Sequence, residues 1–183
     1  MTLNEKDKDT LEKIRKEIKC EKPLYHISSV NKQDGKPREL ESLILASKHM
    51  SETVKKWGLI PNKTFTLSFP NFLPDNLISH FIRGYFDGDG CAWVGANHNK
   101  DGKRMQVTIM SSMTFCRGLK EYIDNKFNIF TSLSVPTNHK PENGLFRIES
   151  KKGVKIFMEY IYKDADLYME RKYNKFQEFF NSF

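Results

Sequence analysis

Residues 77–90, LISHFIRGYFDGDG, run an apolar helical pattern straight into two aspartates and a closing glycine. Leu77, Ile78, Phe81, Ile82, Tyr85 and Phe86 recur at the three- and four-residue spacing of one helix face. Such a helix delivers Asp87 and Asp89 at its C-terminal end, where the macrodipole is already negative. That placement is costly unless a positive charge offsets it, and a bound divalent cation is the natural candidate. Gly84 and Gly88 lie four residues apart, hence on one face. A glycine pair at this spacing lets a second helix approach closely. An ordinary amphipathic helix ending in an Asp-Gly turn would explain D-G-D-G alone, but not the glycine pair and the strand pattern that follows.

The rest of the chain reads as short alternating elements. After the 75–90 helix come a strand at 91–96, a polar turn at 97–102 and a strand at 104–110. That strand sets Arg104, Gln106 and Thr108 on one face and Met105, Val107 and Ile109 on the other, as a half-buried strand requires. A helix at 114–127, strands at 132–135 and 145–149, and helices at 153–162 and 168–180 complete this part. Upstream, Leu11, Ile14 and Ile18 mark an amphipathic helix over 7–18, with acids early and lysines late. Strands are expected at 24–28 and 40–46, a turn at 31–37, and a short helix at 51–57 closed by Gly58 and Pro61.

An internal repeat connects the two parts. LILASKHMSETVKKW (43–57) matches FRIESKKGVKIFMEY (146–160) in pattern, strand then Ser-Lys then helix, with Ser47 and Ser150 103 positions apart. Leu11, Ile14 and Ile18 fall on Cys116, Leu119 and Ile123 at an offset of 105. By this spacing, the counterpart of the Asp89 helix would lie before Met1. The first copy therefore reads as lacking its opening helix and first strand.

Composition narrows the partners. The net charge of +7 and pI near 9.2 favour a polyanion slightly over a merely basic surface. Cys20, Cys91 and Cys116 are widely spaced and odd in number, so a disulfide framework or zinc site is not expected and a reducing, intracellular setting is the default. The five histidines show no ligand spacing, no apolar run reaches a membrane span, and MTLNEKDKDT is no signal peptide.

The segment IRGYFDGDG (82–90) resembles the LAGLIDADG motif, with Gly84, Asp87, Asp89 and Gly90 in register. The element order after it resembles that family's repeat. The 160–176 stretch, YIYKDADLYMERKYNKF, is similar to the tail of a bacterial and phage branch, and LIPNKTFTLSFP (59–70) to the linker between repeats. The resemblance implies an α+β fold of the LAGLIDADG homing-endonuclease type: curved antiparallel sheets covered on one face by helices, in two pseudo-repeats with the first incomplete. Residues 1–61 would form that incomplete repeat, 62–74 the linker and 75–183 the complete repeat.

It also implies roles. Asp89 would help hold Mg²⁺, with the Gly88 carbonyl as an added ligand, since oxygen donors suit that ion. Asp87 and Tyr85 would pack the motif helix together with Gly84 and Gly88. Lys48 and Lys151 match the basic residue placed near the start of the helix after each repeat's last strand, with Lys152 a rival; such a lysine could stabilise developing phosphate charge. Double-stranded DNA would meet the outward strand faces: Trp93, Arg104, Gln106, Thr108, Ser132, Ser134, Arg147 and Glu149, and in the first copy His26, Ser28, Arg38 and Ser42. Arg and Gln suit bidentate contacts to guanine and adenine. Asn31, Lys32, Gln33, Lys36, His98, Asn99, Lys100 and Lys103 in the turns, with Lys140, would meet flanking phosphates.

The pattern departs from the family in one respect: a double-motif chain has two acidic motifs and this one has one. Either two chains pair through the Asp89 helix, or a separate polypeptide supplies the missing helix, or the protein does not cut. A catalytically inactive DNA- or RNA-binding module, like a maturase or regulator, is the alternative from another class. A structural remnant would instead expose an apolar helix face.

Overall fold

The computed structural model describes residues 1–31, 35–56, 67–96 and 102–182. Among them are seven strands and six α-helices. The first half holds β1 (Thr2–Asn4), a 3-10 turn (Glu5–Asp7), α1 (Lys8–Glu17), β2 (Tyr25–Val30), β3 (Pro37–Ser42) and α2 (Lys48–Lys56). The second holds α3 (Asp75–Asp89), β4 (Gly90–Ala96), β5 (Lys103–Ser112), α4 (Met113–Phe127), β6 (Ser132–Ser134), β7 (Asn143–Ile148), α5 (Lys151–Tyr162) and α6 (Glu170–Asn181).

The strands form two antiparallel sheets, of order β1-β3-β2 and β4-β5-β7-β6. The first order repeats β5-β7-β6, with each intervening helix in the equivalent place. The chain is thus an α+β protein of two pseudo-repeats, and the first has no equivalent of α3 and β4 among the described residues. The repeat extends to the caps. Ser150 Oγ accepts from Gly153 N at 3.1 Å to open α5, and Ser47 Oγ accepts from Met50 N at 3.2 Å to open α2.

The second sheet has a full core. Met105, Val107 and Ile109 of β5 alternate inward, as their spacing requires, and meet Phe146 and Ile148 of β7. Helix α4 starts where Ser112 Oγ accepts from Phe115 N, and stops at Asn128, whose φ of 48° leaves helical space. Phe86, Phe115, Phe157 and Phe176 fill the space between helices and sheet, all fully buried.

The first sheet is thinner. Leu11 and Leu43 are its fully buried apolar residues. Its strand β3 also buries a charged residue, Glu41, 3% exposed, which accepts from Lys8 Nζ at 3.3 Å and contacts His26 Nδ1 at 3.2 Å. Arg171 of α6 ties the two halves together by a two-pronged bond to the Asp7 carboxylate (3.0 and 3.1 Å), and Lys13 reaches Glu170 at 2.6 Å.

Two expected elements differ. The second strand of the first copy occupies 37–42 rather than 40–46. Its partner β2 runs in register from Tyr25↔Ser42 to Val30↔Pro37, and beyond Ser42 the strand is held only at Leu43, which exchanges two backbone bonds with Met1 (2.8 and 2.7 Å). Ile44 and Leu45 are left exposed. Strand β1 was not expected, being three residues long and formed only through β3, about 40 positions away. The expected 97–102 turn and the 59–70 linker lie largely outside the described residues.

Replacing Phe146 by Ala should lower stability by about 3–5 kcal/mol, read from urea unfolding, because the cavity cannot collapse between sheet and helices. A second measurement concerns His26. Its hydrogen bond to Glu41, with Glu39 adding to it, raises its pKa above the ordinary 6.5. The folded state therefore gains from protonation, fully below the ordinary value, and loses that gain as pH rises through the raised one. The stability gap between wild type and His26→Ala should narrow as pH is raised from about 6 to about 9; a constant gap would refute the assignment.

Candidate nucleic-acid interface and motif-helix tip

Helix α3 buries Ile78, Ile82 and Phe86 against the second sheet. The two aspartates at its end then diverge, because residues two apart lie on different helix faces. Asp87 is buried. Tyr162 OH donates to its Oδ1 at 2.7 Å and the Met169 backbone N–H to its Oδ2 at 3.0 Å. Burial pushes its carboxyl above the usual range, against the pull of those bonds and of Lys172 and Arg83. Asp87 is thus a brace between α3, the end of α5 and the segment joining α5 to α6.

The positive charge that the helix end needs comes from the chain itself. Lys172 Nζ, buried, donates to the carbonyls of Phe86 (2.6 Å), Asp87 (2.8 Å) and Gly90 (2.5 Å). Burial lowers its pKa. This ammonium closes the C-terminus of α3, so the dipole cost does not by itself require a metal, contrary to the expectation from sequence. The signal was present in the tail: Lys172 stands with Met169, Phe176 and Phe179 on the buried stripe of that segment, where a lysine needs buried acceptors.

Asp89 is exposed and makes no hydrogen bond among the described residues. The Gly88 carbonyl is not one of the three that Lys172 holds. Asp89 and Gly88 therefore fit a cation as two oxygen donors, but no group of three or more acidic, His or Cys side chains suited to a metal exists among the described residues.

Gly84 and Gly88 are exposed, and a Cβ built at either meets no atom within 4 Å. They form one wall of a cavity of about 280 Å³ whose opposite wall is Met1, Leu3, Thr10 and Ile14. Tyr85 points elsewhere. Its OH donates to Ser111 Oγ at 2.7 Å and its ring stacks on Phe115 at 4.4 Å. It packs the helix onto its own sheet and does not line the glycine face. Arg83, unremarked in the sequence, lines the same cavity and reaches the carbonyls of Leu167 (2.9 Å) and Ile161 (3.0 Å), tying α3 to the end of α5 and the segment after it.

The open face of the second sheet gathers the expected residues. The pairings Trp93↔Gln106, Thr108↔Arg147 and Ser132↔Arg147 put their side chains on one side, with Arg104, Ser134 and Glu149 in phase. The helices cover the other side. Arg104 lies over the Trp93 ring at 5.4 Å, and Gln106 Nε2 donates to Glu149 Oε1 at 2.8 Å. Lys36, Lys103 and Lys140 are exposed near strand ends. Lys32, Gln33, His98, Asn99 and Lys100 lie outside the described residues.

The first sheet corrects one expectation. His26 pairs with Glu41 and Ser28 with Glu39, whereas Arg38 faces Ser29 and Ser42 faces Tyr25. His26 and Ser28 thus share the side of buried Glu41, and Arg38 and Ser42 share the opposite side. The four do not form one face. The sequence places the two pairs in different strands, and only the register decides their relative phase. His26 is further engaged by both glutamates (2.9 Å to Glu39, 3.2 Å to Glu41). Lys48 and Lys151 are the first residues of α2 and α5, equivalent places directly after the capping serines; both are exposed, and Lys48 lies 4.0 Å from Glu52.

Residues 76–162 match the family described as the LAGLIDADG-like domain. Among solved structures, the LAGLIDADG homing endonuclease I-LtrWI bound to target DNA superposes with a TM-score of 0.58 at 18% identity, over 100% of this chain and 76% of its own. The meganuclease I-SmaMI bound to uncleavable DNA gives 0.56 at 12% over 99% and 76%, and I-GzeII in complex with its DNA target 0.55 at 14% over 99% and 77%. No curated protein matches the chain in sequence. The chain has the fold of the LAGLIDADG homing endonucleases. The part of it that carries the motif helix is a LAGLIDADG-like domain.

Changing Lys172 to Met should cost about 3 kcal/mol of stability in urea unfolding, since three carbonyls lose the ammonium that donates to them in a dry setting. Unchanged stability would show that water replaces the ammonium at no cost.

Proposed function

We propose that this chain binds double-stranded DNA along the open face of its second sheet and supplies one half of a metal-dependent phosphodiester-cleaving site. The observation that carries the reading is the placement of Asp89: an exposed, unbonded carboxylate at the tip of a rigidly braced helix, beside a polar sheet face and an open glycine groove. The basic balance of the chain supports it, and so do the DNA complexes of proteins with this fold. Among the described residues no helix is long and apolar enough to cross a membrane.

Asp89 and the Gly88 carbonyl would hold Mg²⁺ or another divalent cation. Such an ion supplies an activated water and stabilises the leaving oxygen of an in-line displacement. Asp87 and Lys172 hold the backbone on which those two donors sit. Lys48 and Lys151 would stabilise charge developing on phosphate.

One carboxylate makes half a site, and the complement comes from outside the described fold. The groove favours a helix from a different polypeptide over a second copy of this chain. Its far wall is the chain's own β1 and α1, which a symmetric partner would also bring to the axis and which would collide there. A second reading is a DNA- or RNA-binding module that does not cut, of the maturase or regulator kind, and the same basic polar sheet face would serve it. Mobility of an intron or intein depends on cleavage and stands or falls with it.

Incubating the purified protein with a duplex library and Mg²⁺, scored for binding and for cutting, separates the two readings. In the presence of a complementing motif helix, Asp89→Asn should abolish cutting and leave binding within about twofold, since the carboxylate touches no base edge in this reading. Cutting that survives in Asp89→Asn would rule out its role. Log affinity should fall linearly with log salt, at a slope of about −0.9 per phosphate contacted; a flat plot would exclude DNA as the partner.

A further inference from the structure

The open face of the second sheet holds one carboxylate between two guanidinium groups. Its side chains stand in rows across the strands. Thr108, Arg147 and Ser132 make one row, Trp93 and Gln106 the next, and Gly95 and Arg104 the third. Glu149, one residue beyond the Val107↔Ile148 pair, joins the middle row through Gln106 Nε2, 2.8 Å from its Oε1.

Glu149 forms no ion pair with either arginine among the described residues. Arg104 lies over Trp93 instead, and Arg147 buries its Nε without an acceptor. The carboxylate is therefore not there to neutralise a guanidinium. On a surface offered to phosphates an anion is unfavourable against the backbone, and it is tolerated only above base edges.

The Gln106–Glu149 bond also sets the polarity of the row. One amide hydrogen of Gln106 is taken up by Glu149, which leaves one amide hydrogen as a donor against Gln106 Oε1 and Glu149 Oε2 as acceptors, so acceptors outnumber donors in this row. In the major groove guanine presents two acceptors, thymine an acceptor and a methyl, and adenine an acceptor beside its amino group. Cytosine presents its amino donor without an acceptor.

Resting on the proposed DNA reading, we infer that Gln106 and Glu149 form a specificity-determining pair that reads a cytosine, where Gln106 acting alone would suit adenine. The arginine rows on either side are built to read guanine by the same groove chemistry.

Selection of binding sites from a random duplex library by the wild type and by Glu149→Gln tests this. The substitution is isosteric at an exposed position, and circular dichroism checks that the variant folds. The wild type should recover sites with one position at which cytosine is preferred about tenfold. Glu149→Gln should lose that preference while other positions keep theirs. The same C·G preferences at every position in both proteins, or a wild type that selects only A·T pairs at its selective positions, overturns the pair. A wild type that selects no duplex at all overturns instead the DNA reading beneath it.

Discussion

The buried ammonium of Lys172 holds together the part of the molecule on which every functional statement depends. At the junction where a helix runs into its own sheet, the carbonyls of Phe86, Asp87 and Gly90 converge on one side chain from the last helix described. The same segment sends the Met169 N–H to Asp87, and Arg171 sends a guanidinium to Asp7 in the first half. One turn of α6 thus joins the motif helix, the second sheet and the N-terminal repeat. Asp89 is left free because Lys172 and Asp87 do the structural work at the tip.

That division of labour explains how two aspartates two residues apart come to differ. Asp87 accepts its bonds from a tyrosine and a backbone amide and is withdrawn from water. Asp89 accepts none and stays in it. The glycines complete the arrangement, since any side chain at 84 or 88 would stand in the cavity that they line.

Much of this was legible in the sequence, for local reasons. The run into D-G-D-G specified α3, the two-residue alternation specified which face of β5 is open, and the Ser-Lys pairs marked equivalent caps 103 positions apart. What escaped was long-range or backbone-borne. Strand β1 is three residues that pair only because β3 lies beside them. The phase of His26 against Arg38 depends on a hairpin register that no residue announces. The partners of Lys172 are carbonyls, which carry no side-chain signature, so the charge balancing the helix end was attributed to a metal.

The thin packing of the first sheet bears on motion. Strand β3 buries the polar Glu41 and Ser42, and Leu11 and Leu43 provide most of the apolar contact. A unit with so little dry area opens at a small fraction of the free energy needed to unfold the whole. Amide protons of β2 and β3 will therefore exchange with solvent through excursions that leave the Phe-rich half intact. Whatever occupies the glycine groove also touches β1 and α1, so its binding would slow that exchange at a distance from the contact itself.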